Sequence, residues 1–236
     1  MDFLTIQRKL HEFNLEIFTL NDIVKITEQT KEVIKSKLTI LVKQKKIIRL
    51  KKGYYSLNEV ENKFQLQRIY KDTYIALHSA LEYYKSTTQR FNNLDLITKQ
   101  ILNKQEINKI TINFHKVKKD IFFGFEKIQI NNTEVFISSI EKTIIDCVYF
   151  SSKVYLTEIN EFIRKYKDKI NIEVIKTMLN KINSSTLNKR IGYLLELNHI
   201  ELENVKLNNK YEKLNKRLSS KGIKNTKWKL IINEEL

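Results

Sequence analysis

The stretch TEQTKEVIKSKLTILVKQKKIIRLKKGYYSL, residues 27–57, decides how this chain reads. Ile34, Leu38, Leu41 and Val42 recur at spacings of four, three and one, which puts them on one face of a helix over 31–45. The period then changes. IIRLKKGYYSL (47–57) alternates like a strand on each side of Lys51-Lys52-Gly53, and a glycine between two β-rich runs marks a hairpin. Upstream, TLNDIVKI (19–26) begins with Thr19 as an N-cap and carries Asp22 in its first turn, the pattern of a short helix. TEQT (27–30) is the turn before the longer helix, with Thr27 or Thr30 as its cap. Phe3, Leu4, Ile6, Leu10 and Phe13 define an earlier helix over 2–14. Helix, short helix, turn, longer helix and hairpin together predict a winged helix-turn-helix over residues 1–58.

Working outward, residues 58–68 are polar and read as a linker. Residues 59–236 are expected to form a larger mixed α/β domain, so the fold class is α+β. In that part YIALHSALEYY (74–84) has helical period and KSTTQ (85–89) breaks it. ITINF (110–114), IFFGFEKIQI (121–130) and TEVFIS (133–138) are β-rich, and SIEKTIIDCVYF (139–150) returns to helix with Ser139 as cap. Three or so helices are expected over 155–200, then a polar, basic stretch over 208–226, then TKWKLIIN (226–233) as a closing strand. There is no internal repeat.

Composition narrows the function. The formal net charge of +16 favours an anionic partner, nucleic acid being the usual one, although lysine enrichment also serves simply to solvate a surface. A single cysteine, Cys147, excludes an internal disulfide and a multi-cysteine zinc site. The four histidines do not fall in metal-ligand spacing, and no metal or cofactor is expected. No apolar run reaches the roughly 18 residues a membrane span needs. The opening MDFLTIQRKLHEF mixes charges with apolar positions at helical spacing and is not a signal peptide, so the expected location is the cytoplasm.

The helix over 31–45 supplies the candidate site. With its apolar face inward, Gln29, Glu32, Val33, Ser36 and Thr39 point outward, flanked by Lys31, Lys35 and Lys37. The major groove admits one such helix, and base edges there carry a distinguishable donor/acceptor code. Gln29 suits an adenine edge, Ser36 several edges, Val33 a thymine methyl, and the lysines would neutralise phosphates. The predicted DNA-contacting set is Gln29, Thr30, Lys31, Lys35, Ser36 and Lys37, with Arg49, Lys51, Lys52 and Tyr54 from the wing. Of Tyr54 and Tyr55, one should pack inward and the other reach the nucleic-acid backbone.

No catalytic set stands out. Glu141, Lys142 and Asp146 share one helix, and the readings are an acidic residue favouring the helix dipole plus an ordinary i,i+4 pair, or a nuclease-type site. Arg190 and Glu196 flank an apolar run in KRIGYLLEL and are read as a buried structural ion pair, with Gly192 permitting close helix packing. His78 and Ser79 are adjacent on one helix and so diverge, and there is no GxSxG elbow for a hydrolase. Cys147 is read as a small core hydrophobe.

Five segments resemble one known family in order along the chain. IIRLKKGYYSL (47–57) is similar to the wing signature of the abortive-infection AbiEi antitoxins of type IV toxin–antitoxin systems. YIALHSALEYYKSTTQ (74–89), VFISSIEKTIIDCVYF (135–150), KRIGYLLEL (189–197) and WKLIIN (228–233) resemble the blocks that follow it. The chain departs from the pattern at Lys85-Ser86, where the family has glycine, and at Ile140, where it often has proline. The resemblance implies an autorepressor that binds inverted repeats of double-stranded DNA in its own promoter. It also implies that the carboxy-terminal domain antagonises a nucleotidyltransferase toxin without a stable complex. A winged-helix-targeted nuclease, an orphan regulator with no toxin and a protein-docking winged helix are the alternatives.

Overall fold

The computed structural model describes residues 2–87 and 91–236. At the start Asp2 accepts a hydrogen bond from the Thr5 amide and opens helix α1, Phe3–Glu12. A strand β1, Ile17–Thr19, runs into helix α2, Leu20–Thr27, through a capping box. There the Thr19 hydroxyl accepts from the Asp22 amide while the Asp22 carboxylate accepts from the Thr19 amide. Helix α3 spans Lys31–Lys43, and strands β2, Ile48–Lys51, and β3, Tyr54–Ser56, complete an antiparallel sheet in the order β1-β3-β2. The turn between β2 and β3 needs Gly53, whose φ is +87° with no neighbour around the missing Cβ. Ile6, Leu10, Phe18, Ile23, Ile34, Leu38, Leu41 and Ile47 form the core of this unit.

The sequence does not betray β1, because three residues are too few to show a period. It also misleads over 58–68. Lys63–Ile69 forms a 3-10 turn with Gln65, Leu66, Gln67 and Ile69 buried, so the stretch is a packed joint rather than a polar linker. Its two glutamines look solvent-directed in sequence but have fixed partners. Gln65 donates to Glu16 and accepts from Thr133 at 3.0 Å, and Gln67 donates to the Thr73 carbonyl at 2.8 Å and accepts from the Phe136 amide at 3.0 Å.

A six-stranded mixed sheet follows, in the order β6-β7-β5-β4-β9-β8. Its strands are β4 Thr73–Ile75, β5 Asn93–Thr98, β6 Gln105–Ile107, β7 Ile110–Lys116, β8 Phe125–Ile130 and β9 Thr133–Ser138. The apolar run read as helix from 74 thus begins as a central buried strand, and helix α4 covers only Leu77–Tyr83. Short apolar runs do not separate strand from helix by period. Of the break read over 85–89, Thr88 and Gln89 lie outside the described residues.

The sheet has a core on each face. Ile75, Leu94, Leu96, Ile112, Val135 and Ile137 meet Ile17, Val60, Leu66 and Ile69 on one side. On the other, Tyr74 and Ile97 meet four helices: α5 Ile140–Tyr149, α6 Leu156–Tyr166, α7 Ile172–Ile182 and α8 Ser185–Leu197. The chain closes in a small sheet of β10 Glu212–Lys213, β11 Ile223–Asn225 and β12 Leu230–Ile232, with residues 226–229 forming a turn rather than strand. The fold is α+β. No described helix is long and apolar enough to cross a membrane.

Lys142 and Asp146 form the i,i+4 helix pair expected, but in the core rather than at the surface. Both are fully buried in α5. Lys142 donates to Asp146 and, at 3.1 Å, to the Tyr74 hydroxyl, which itself donates to Asp146 at 3.0 Å. Burial pushes the Asp146 carboxyl up against the opposing pull of Lys142. Glu141 stays at the helix start, accepting from the Ser139 hydroxyl and the Asn171 amide.

Arg190 and Glu196 do not pair, because six residues along a helix place them on different faces. Arg190 donates to the Lys213 carbonyl, whereas Glu196 holds Lys227 at 2.9 Å and accepts from the Trp228 indole. Gly192 makes room for that indole rather than for a helix, since a Cβ there would lie 2.1 Å from the Trp228 ring. Cys147 is buried in the core. His78 faces Glu158 at 3.4 Å, and the Ser79 hydroxyl accepts from the Asp95 amide on β5.

Two outcomes follow. Lys142→Met strands the Asp146 carboxylate and should lower unfolding stability by about 3–5 kcal/mol, read from urea transitions. The hydrogen bond to Glu158 raises the His78 pKa above 6.5 and lowers that of Glu158 below 4.5. The pair therefore stabilises fully below the ordinary histidine value and loses its effect as pH rises through the raised one. On the acid side the contribution fades as pH falls through the lowered carboxyl value. His78→Gln should destabilise the chain near about pH 6 and leave it unchanged near about pH 9.

Candidate nucleic-acid interface

Burying Ile34, Leu38 and Leu41 fixes which face of α3 meets solvent. Gln29, Thr30, Lys31, Glu32, Val33, Lys35, Ser36, Thr39 and Ile40 are all exposed, while Lys37 is half-buried. Thr30 caps α3 by position only, with no side-chain hydrogen bond to the helix. The Thr39 hydroxyl is committed to the Lys35 carbonyl at 3.0 Å. Among the described residues Gln29 and Ser36 make no hydrogen bond through their side chains, so both keep donors and acceptors for a ligand.

Between Thr27 and Gly53 the chain carries nine lysines and arginines against Glu28 and Glu32. Among the described residues none of the nine is in an ion pair. Lys46 lies over the Phe3 ring at 5.5 Å. Lys37 is a lesser cause of the lowered Asp2 pKa, behind the hydrogen bonds from Thr5. A shallow groove of about 620 Å³ runs beside α3, lined by Phe3, Val33, Ser36, Lys37, Ile40 and Lys46 among others.

The hairpin divides its predicted contacts. Arg49, Lys51 and Lys52 are all exposed. The Lys51 ammonium in addition sits over the Tyr70 ring at 4.2 Å, and partial desolvation there lowers its pKa. Tyr54 is not free at the tip. It is half-buried against the core of the central sheet, while Tyr55 stacks on Phe18 in the N-terminal core with ring centroids 6.0 Å apart. The two hairpin tyrosines therefore both pack inward, toward different cores. A register shift between Arg49 and Lys51 explains the first case, because it leaves Leu50 without a cross-strand partner and packs it, like Tyr54, against the central core.

The joint fixes how this surface is carried. Arg68 donates to the Ile17 carbonyl at 2.9 Å and to Asp22, inside the capping box, at 2.8 Å. Glu16 accepts from the Glu61 amide, and Asn132 donates to the Phe13 carbonyl, each at 2.6 Å. Lys9 donates to the Ile26 carbonyl, which ties α1 to the end of α2. Glu141, Lys142, Asp146, Arg190 and Glu196 belong to the central and carboxy-terminal packing described above and take no part in this surface. Sequence reading missed Ile40, Phe3 and Arg68. Ile40 was recoverable from the helical wheel, whereas Arg68 carries no local signal.

No protein-family model matches the sequence, and no curated protein is significantly similar to it. Among solved structures, the crystal structure of the RV2827C protein from Mycobacterium tuberculosis is similar over 96% of this chain and 89% of that chain, with a TM-score of 0.62 and 10% sequence identity. At that identity the likeness concerns the fold alone.

Because Arg68 holds both β1 and the start of α2, Arg68→Met should lower stability by about 2 kcal/mol. Amide exchange should accelerate over residues 17–24 more than in the central sheet, as read by hydrogen–deuterium exchange mass spectrometry.

Proposed function

We propose that this chain is a DNA-binding transcriptional autorepressor and the antitoxin of a type IV toxin–antitoxin system, acting in the cytoplasm without catalysis of its own. One observation carries the DNA-binding part. The turn before α3 and its exposed side offer Gln29 and Ser36, free of side-chain hydrogen bonds among the described residues, beside lysines that make no ion pair among them, and a basic hairpin follows. In this reading the first 58 residues are a winged helix: α3 enters the major groove of duplex DNA, and Arg49 and Lys52 hold the backbone beside it. Lys51 contributes less than the sequence suggests, being engaged with Tyr70.

The antitoxin part rests on the ordered resemblance to AbiEi proteins. It assigns inverted repeats in the promoter as the operator and a nucleotidyltransferase toxin as the functional partner, opposed through residues 59–236 without a stable complex. The nuclease alternative draws no support from Glu141, Lys142 and Asp146, because the last two are sealed inside the core with each other and Tyr74.

Binding to the upstream promoter fragment should be tight and salt-sensitive, measured by fluorescence anisotropy with an unrelated duplex as control. Lys35→Ala and Lys52→Ala should each reduce the slope of log affinity against log salt by about one, and Lys51→Ala by less. Equal affinity for both duplexes, or slopes untouched by Lys35→Ala and Lys52→Ala, would overturn the operator reading.

A further inference from the structure

Val33 and Ile40 are 52% and 53% exposed, the only large aliphatic side chains on α3 left so bare. They lie seven residues apart, two turns along one side of the helix, with Ser36 between them and Phe3 beside them in the same groove. An exposed aliphatic stripe on a lysine-rich helix calls for an occupant that is anionic overall yet apolar where it touches the stripe. Lys37 and Lys46 line the same groove, neither in an ion pair among the described residues, against the single carboxylate of Glu32. A second copy seated there would set lysine against lysine. The major groove of a duplex meets both demands, since its rims are phosphate and its floor carries one apolar group, the C5-methyl of thymine.

We infer that Val33 and Ile40 are specificity determinants that read thymine methyl groups in the site occupied by α3. The inference rests on the duplex-binding reading above and adds its chemistry. Seven residues of helix rise by about 10.5 Å, or about three base-pair steps at about 3.4 Å each. The two methyl contacts therefore fall about three base pairs apart, with the pairs between them opposite Ser36.

The test uses the full chain and the duplex it enriches most strongly from a randomised library. Each thymine of that duplex is replaced in turn by deoxyuridine, which removes only the methyl group. At two positions about three steps apart the replacement should weaken binding about fourfold. Val33→Ala should abolish most of the penalty at one of them and Ile40→Ala at the other. Both variants should unfold at the wild-type temperature, because the side chains removed are exposed.

If deoxyuridine is tolerated everywhere while base-pair swaps still weaken binding, the inference fails and the operator reading stands. If nothing is enriched, the operator reading fails and takes the inference with it. Should the stripe dock a second copy instead, the two alanine variants would reduce self-association in sedimentation and leave the thymine-to-uracil ratio unchanged, which also overturns the inference.

Discussion

Everything at the amino-terminal end is oriented by polar side chains placed where solvent would be expected. Arg68 reaches from the 3-10 turn to a carbonyl of β1 and to the carboxylate that caps α2, so one guanidinium serves two elements. Gln65 and Gln67 fill the joint from the same turn, one bridging Glu16 to Thr133 and the other meeting the backbone at Thr73 and Phe136. Buried amides are tolerated only when satisfied, and here each is satisfied by partners from a different segment. The result is a specified angle between the lysine-bearing helix and the central sheet.

A second polar knot sits beneath the other face of the sheet. Lys142, Asp146 and the Tyr74 hydroxyl form a closed triangle with no solvent contact, surrounded by Phe122, Phe123 and Phe125. Such a group adds little net stability over apolar residues of the same size, but it penalises any misregistration of β4 against α5. The strand contributes only three residues, pairing with β5 over all three but with β9 at a single Cα position, Ile75 with Ile137, so the triangle adds a tie to α5 that the ladder does not supply.

How far the sequence could be read follows from the same physics. Helix α3, the capping box at Thr19, the glycine turn of the hairpin and helices α5 to α8 announce themselves, because period and capping are local properties. Strand β1 is too short to show a period, and in β5 the apolar run of the sequence is interrupted by Asp95, whose carboxylate is bound by Asn93, Asn113 and His115 from the sheet itself. The supposed Arg190–Glu196 pair failed because six residues of α8 turn the two side chains to different faces, which the helical period already implies. On the surface, Gln29, Lys35 and Ser36 stand where helical geometry predicts. Tyr54 does not, because the bulge at Leu50 turned it toward the central core, and Lys51, though exposed, lies over the Tyr70 ring.

The bulge has one further effect. With Leu50, Lys51 and Tyr54 all held by the central half, the hairpin is not a loose arm that must be ordered on contact. A ligand meeting this surface would find it pre-organised, and little configurational entropy would be surrendered on association. The same anchoring removes adjustability. If the partner is the duplex proposed above, two copies on neighbouring sites could not swivel their N-terminal units independently of their bodies, so the helical phase between those sites, set by the number of base pairs separating them, would be tightly constrained.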